Sequence, residues 1–223
     1  MTVLSRFVAK LGYKMRGTGR GNTASSLNSL LKEIKGHKEQ NVIETISLRT
    51  MQKAKYSTQN IGHFGLAFKY YTHFTSPIRR YPDLMVHRLL DRYLTQGVRS
   101  ANAAKFETFC EHCSAQEQVA ANAERASIKY KQVEFMSEHI NEEFDAVISG
   151  VTEWGIYAEI TENKCEGMIP LRTLEDDYYE YDDANYCLVG RRHHRKYTIG
   201  DPLRIRIVRA NLERKQLDFE IVE

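Results

Sequence analysis

The chain has 223 residues, 42% of them apolar, enough to bury one good core or two small ones, and its net charge is +3. That small excess hides an asymmetry: residues 1–100 carry 17 lysines and arginines against 5 acidic groups, whereas residues 141–223 carry 11 against 18, so the first part suits a polyanionic partner and the second cannot rely on its average field. No apolar run is long enough to span a membrane, the opening MTVLSRFVAKLGYKMRG is too short in continuous apolar length for a secretory signal, and four unevenly spaced cysteines make no disulfide framework, which leaves a cytoplasmic location as the expectation.

In chain order, Leu27, Leu30, Leu31 and Ile34 keep helical spacing, with Ser25 or Ser26 as a cap and Gly36 as a stop. A second helix is expected from about Gln40 to Tyr56, carrying Val42, Ile43, Ile46 and Met51. A third begins at Pro82, a favoured first helical position, and is expected to bury Val86, Leu89, Leu90 and Tyr93. From Ala103 to His139 there is neither Gly nor Pro, which predicts one long helix with Phe106, Phe109, Cys110 and Cys113 on its core face. The C-x-x-C at Cys110 and Cys113 then packs that face rather than binding zinc, since Cys165 and Cys187 supply no second paired spacing.

After His139 the period changes. Phe144, Ala146 and Ile148 alternate with polar or small residues until Gly150 breaks the strand, and a new strand starts at Trp154-Gly155-Ile156-Tyr157. Leu203, Ile205 and Ile207, then Leu217, Phe219 and Ile221, alternate likewise, so several short strands in about eighty residues predict a small closed barrel. Glu175 to Gly190 is acidic, tyrosine-rich and without a clear period. Its cluster Asp176, Asp177, Asp182 and Asp183 reads as solvated surface rather than a metal site.

The densest chemistry lies between Gly62 and Leu90, where His63, Tyr71, His73, Thr75, Ser76, Arg79, Arg80 and Tyr81 crowd one segment. A turn fixed at Ser76-Pro77, two arginines and a helix start would hold planar guanidinium forks toward a polyanion; the alternative is a solvated arginine pair on an aromatic core strand. The run HFGLA followed by YTHFTSPIRRYPDLMVHRLL resembles the signature of the ribonuclease II and ribonuclease R family, exoribonucleases that hydrolyse single-stranded RNA from its 3′ end. The resemblance implies that Arg79, the first arginine of SPIRR, contacts the phosphate near the scissile bond. It places His63, Ser76 and Arg80 beside the RNA path. Glu124, in the long helix, matches the family only loosely.

The second block, through GVTEWGIYAEI, CEGMIPL and YTIGDPLRIRIVRANLERKQLDFEIV, is similar to the RNA-binding OB-fold repeated in ribosomal protein S-one. That resemblance implies base stacking by Trp154 and Tyr157, with the alternative that Trp154 fills the barrel core; Pro170 stands where the family often has a histidine. The insertion DDYYEYDDANYCLVGRRHHRKYTIGD points to the ribonuclease R branch, and Arg191, Arg192, Arg195 and Lys196 form a basic patch suited to phosphates.

Together these imply an α+β chain: residues 1–139 as a partial, mainly helical C-terminal portion of the ribonuclease II-type catalytic domain, and residues 140–223 as a five-stranded OB-fold β-barrel. The implied reaction is 3′-to-5′ hydrolysis of single-stranded RNA to nucleoside monophosphates with magnesium. The family's metal-holding aspartate cluster is not matched, since the aspartates of residues 1–140 are Asp83 and Asp91 alone. Met1 therefore reads as the start of a truncated or excerpted sequence, inactive alone, whose partners are single-stranded RNA and the missing N-terminal part of the same enzyme. Two rival readings are a non-catalytic RNA-binding protein and a helical interaction domain fused to a barrel.

Overall fold

A computed structural model describes residues 2–15, 23–37, 39–51, 53–63, 68–98 and 100–222. The chain forms two compact units, one made of residues 1–52 with 126–223 and the other of residues 53–125.

The first unit opens with helix α1 (Thr2–Lys10), which the sequence reading passed over although Leu4, Phe7 and Val8 follow the i, i+3, i+4 rule and are all buried. Helix α2 (Thr23–Glu33) begins earlier than expected, so Ser26 is not a cap but a residue inside the helix with a buried hydroxyl. Helix α3 (Gln40–Thr50) carries buried Val42, Ile43 and Ile46 and stops short of Tyr56, because the backbone turns extended at Met51.

The barrel is closed in the order β1-β2-β3-β8-β7, with β1 (Glu143–Thr152), β2 (Gly155–Ile160), β3 (Glu166–Pro170), β7 (Pro202–Asn211) and β8 (Gln216–Ile221). Its interior takes Ala146, Ile148, Ile156, Ala158, Ile160, Ile169, Ile205, Ile207, Leu217 and Phe219, all nearly inaccessible. Gly167 is required by that packing, since a Cβ there would lie 2.5 Å from the Phe219 ring. Gly150 does not end β1, as the alternation suggested; it sits within the strand at a register shift after Ile148, a bulge that lets β1 continue to Thr152.

The insertion is the largest departure from the sequence reading. Instead of an aperiodic solvated loop it folds into a three-stranded antiparallel sheet of β4 (Tyr179–Asp182), β5 (Cys187–Gly190) and β6 (Lys196–Thr198). Tyr179, Leu188 and Tyr197 join the same core as the barrel and α1–α3, with Cys187 also buried. Helix α1 packs onto this sheet: Phe7 meets Tyr186 edge-on at 5.4 Å, and Lys10 Nζ donates to the Ala184 carbonyl at 3.2 Å.

In the second unit helix α4 (Tyr81–Thr95) starts beside Pro82 as expected, but the buried residues are Pro82, Asp83 and Met85. Leu90 and Tyr93 are exposed, and Val86 and Leu89 only half-buried, so the expected apolar face is only partly covered among the described residues. The long helix α5 (Ala103–Met136) forms as predicted and ends in a 3-10 turn, Ser137–His139. Cys110 is buried and Phe106, Phe109 and Cys113 are half-buried, all four cysteines being free thiols.

Candidate nucleic-acid interface

In the second unit the two adjacent arginines of SPIRR have different surroundings. The Asp83 carboxylate, fully buried in the first turn of α4, accepts the Ser76 amide and the Arg80 guanidinium through Oδ2, each at 2.8 Å. Arg80 further donates to Thr75 Oγ1 at 3.3 Å and to His73 Nδ1 at 3.2 Å. It thereby ties the loop before the helix to the helix itself, with its side chain only 18% exposed. Arg79 is exposed, and its guanidinium has no hydrogen-bond or ion-pair partner among the described residues. Its position is nonetheless fixed, since the amides of both arginines donate to the Ser76 carbonyl in the turn that Pro77 begins.

His63 connects to this lock through two rings, its own 4.5 Å from that of Tyr71, which in turn stands 5.2 Å from His73. A ladder of His63, Tyr71, His73 and Arg80 thus ends on Asp83. Phe64, Gly65, Leu66 and Ala67 of HFGLA lie outside the described residues. Glu124 is exposed on α5.

In the first unit a groove of about 680 Å³ opens on the barrel and is lined by Trp154, Met168, Pro170, Arg172, Tyr178 and Arg209 among others. Trp154 is 71% exposed, so it does not fill the core. Its backbone is held at both ends: the amide donates to Thr152 Oγ1 at 3.3 Å and the carbonyl accepts the Leu171 amide at 3.0 Å. Arg172, Arg209 and Arg214 line the groove together with the carboxylates of Glu153, Asp177 and Asp218, and the three arginines have no ion-pair partner among the described residues. Sequence reasoning missed these three because they come from a turn, a strand and a hairpin loop and form no run; the only signal was the outward register of Arg209, opposite Asp218.

Tyr157 belongs elsewhere. With Arg49, Gly150 and Glu166 it lines a second, smaller hollow, where the Arg49 guanidinium donates to the Ser149 carbonyl at 3.4 Å. Beside it, burial pulls the Lys129 ammonium below its ordinary pKa despite the neighbouring Glu166.

The basic patch on the insertion is partly spoken for. Arg191 pairs with Glu180 and lies over the Tyr178 ring, 4.8 Å from its centroid. Arg195 faces Asp176 at 3.6 Å and covers Tyr197 at 5.1 Å. Arg192 and Lys196 are exposed and lack an ion-pair partner among the described residues.

Among the described residues magnesium finds no fitting donor set. Among the described residues no group of three or more His, Cys, Asp or Glu side chains is arranged to hold a metal ion. Asp83 is committed to its own loop, and the insertion carboxylates are used within their sheet. Asp176 accepts the Tyr179 hydroxyl at 2.7 Å, and Asp182 accepts the amides of Ala184 and Asn185. Asp177 accepts the amides of Tyr178, Arg192 and His193; burial would raise its pKa, but the amides of His193, Arg192 and Tyr178 outweigh it and hold the carboxyl below its usual range.

Residues 4–96 match the RNB domain and residues 138–222 the S1 RNA binding domain. Ribonuclease R 1 of Lactococcus lactis is 42% identical over 219 residues, which cover 96% of this chain and 27% of that protein. The apo form of Mycoplasma genitalium RNase R superposes with a TM-score of 0.86 at 30% identity, covering 99% of this chain and 35% of that one. The same enzyme in complex with ribose methylated single-stranded RNA gives 0.81 at 28% identity and the same coverage. This chain thus spans 27% of the length of that curated relative. Its two domain matches, the shared identity along nearly its whole length and the common fold lead to one assignment: the chain carries an RNB domain match followed by an S1 RNA binding domain and is similar along nearly its whole length to one part of ribonuclease R.

Proposed function

We propose that this chain is the RNA-engaging C-terminal portion of a 3′-to-5′ exoribonuclease that releases nucleoside monophosphates from single-stranded RNA. Residues 1–139 would then contribute to the catalytic domain, and residues 140–223 would hold and feed the strand. The observation that carries the reading is the barrel groove, where a mounted tryptophan stands in water among three unpaired arginines. Leaving an indole exposed forgoes the burial that stabilises the rest of the barrel by about 1.5–3 kcal/mol for each large side chain, and an aromatic platform flanked by cations is what unpaired bases and their phosphates require. The Mycoplasma relative solved with single-stranded RNA supports the same ligand class.

Within this proposal Arg79 stabilises charge at the reacting phosphate. His63, Ser76 and Arg80 line the RNA path, and Arg80 also holds the loop that presents Arg79. Trp154 and Tyr157 stack bases, and Arg191, Arg192, Arg195 and Lys196 attract the backbone. Magnesium would be held by carboxylates outside this chain, in the remainder of a cytoplasmic enzyme; among the described residues no helix is long and apolar enough to cross a membrane. End-labelled single-stranded RNA incubated with this chain and magnesium should therefore be bound without being shortened. Mononucleotides formed in proportion to the chain would refute the division of labour.

A further inference from the structure

The insertion sheet does more than thicken the barrel: it brings Tyr178 to the groove that Trp154 lines. A five-stranded barrel without the insertion would have neither this residue nor its support. Tyr178 is 64% exposed, while its neighbour Tyr179 is buried with its hydroxyl on Asp176. The Arg191 guanidinium lies over the Tyr178 ring and is itself held by Glu180.

The backbone beneath the ring is mounted with equal care. Arg191 donates its amide to the Tyr178 carbonyl at 3.0 Å. The Asp177 carboxylate gathers the Tyr178, Arg192 and His193 amides at 2.7, 2.9 and 2.8 Å, so that the two arms of the insertion are tied at one point. Gly190 leaves the space for it, since a Cβ there would lie 2.4 Å from Asp177 Oδ2 and 3.1 Å from its Cγ. An exposed aromatic whose backbone is fixed by these hydrogen bonds and whose ring is stacked on one side by Arg191 has less freedom to lose when a ligand arrives, which lowers the entropic cost of binding.

We propose that Tyr178 is a second base-stacking residue, which extends the Trp154 groove into a cleft for successive bases of a single strand. This rests on the RNA-binding reading of the barrel. Apolar Met168, Pro170, Leu171 and Leu174 line the cleft, and Arg172, Arg209 and Arg214 supply phosphate contacts. Its volume of about 680 Å³ is within the roughly 300–1,000 Å³ range of ligand sites. Stacking is tolerant of sequence, because every base has a π-face, so the gain is in affinity and in the length of strand held rather than in base choice.

The test titrates the 223-residue chain with oligoadenylates of increasing length at fixed salt, reading quenching of Trp154, the only tryptophan. Tyr178→Ala should weaken binding about tenfold and shorten the oligomer length at which affinity stops rising. Tyr178→Phe should retain both, and Tyr178→Leu, which keeps apolar bulk without a ring, should behave like the alanine variant. Unchanged affinity in both ringless variants, with the parent quenched normally, overturns the role of Tyr178 and leaves the barrel reading standing. An equal loss toward double-stranded RNA, whose bases are not available for stacking, overturns it too. Absence of any binding by the parent would instead remove the RNA-binding reading on which the proposal rests.

Discussion

Between residues 143 and 221 the barrel surrounds a continuous apolar interior, and three helices and the insertion sheet share that core. Between Lys53 and Arg125, among the described residues, only Pro82, Asp83, Met85 and Cys110 are buried, while Phe68, Phe74, Ile78 and Leu94 stand more than half exposed. The two regions position their candidate RNA contacts by different physics. Trp154 rests on a scaffold whose stability comes from buried area, which is additive and forgiving. Arg79 rests on a turn held by a few hydrogen bonds to one buried carboxylate, which is directional and fails as a whole if one partner is lost. Of two neighbouring arginines one is therefore consumed in the mount and the other is left exposed to solvent.

The sharpest way to break this contrast is to remove one member from each scaffold. Phe219→Ala deletes the ring over Gly167 and should cost the barrel about 3–5 kcal/mol, read as a lower midpoint of Trp154 emission on heating. Amide exchange at α4 should be unaffected, and a parallel loss there would mean that the units do not unfold separately. Asp83→Ala strands the Arg80 guanidinium and should cost about 3–5 kcal/mol locally. Faster exchange of the Ser76 and Arg80 amides, with an unchanged Trp154 midpoint, is the expected pattern.

Arg79→Ala separates mount from chemistry. Its stability should stay within about 0.5 kcal/mol of the parent, because the exposed side chain makes no hydrogen bond or ion pair among the described residues. Turnover in the full-length enzyme should fall by roughly 10²–10³-fold, with Arg79→Lys recovering only part because it lacks the planar fork. A loss confined to RNA affinity would make Arg79 a positioning contact instead.

The smallest effect should appear in acid. The amides on Asp177, acting against burial, and the Arg191 guanidinium on Glu180 hold both carboxyls below their ordinary values of 3.8 and 4.5. A depressed folded-state pKa stabilises above the unfolded value and ceases to do so as pH falls through the folded one. The turn at Tyr178 and Arg192 should thus be indifferent to pH above about 5 and loosen only below the ordinary values, seen as amide shifts of Arg192 and His193.

Much of this was legible in the chain. Pro82 announced α4, and the alternation of Leu203, Ile205 and Ile207 announced the barrel, because both signals span enough residues to establish a period. The insertion hid its strands because each has only three or four residues, and because its outward and inward positions are both tyrosine at 178 and 179. Arg79 and Arg80 looked equivalent in sequence, although the spacing from Arg80 to Asp83 is that of an i, i+3 helical pair and held the distinction. The groove arginines were unreadable because only the closed barrel gathers residues 172, 209 and 214.

The contact between Phe7 and Tyr186 has a consequence for the newborn chain. Helix α1 meets α3 about thirty residues further on, but its partner sheet follows only after about 170 more residues have been synthesised, so the part of its apolar stripe that faces the insertion waits long for its cover. Residues 53–125, whose partners are nearer in sequence, have no such wait. Contacts of long sequence separation form late and leave apolar surface open to aggregation in the interval. A ribosome-stalled chain ending before the insertion should bind holdase chaperones through α1, and release from them should coincide with synthesis of β5 and β6.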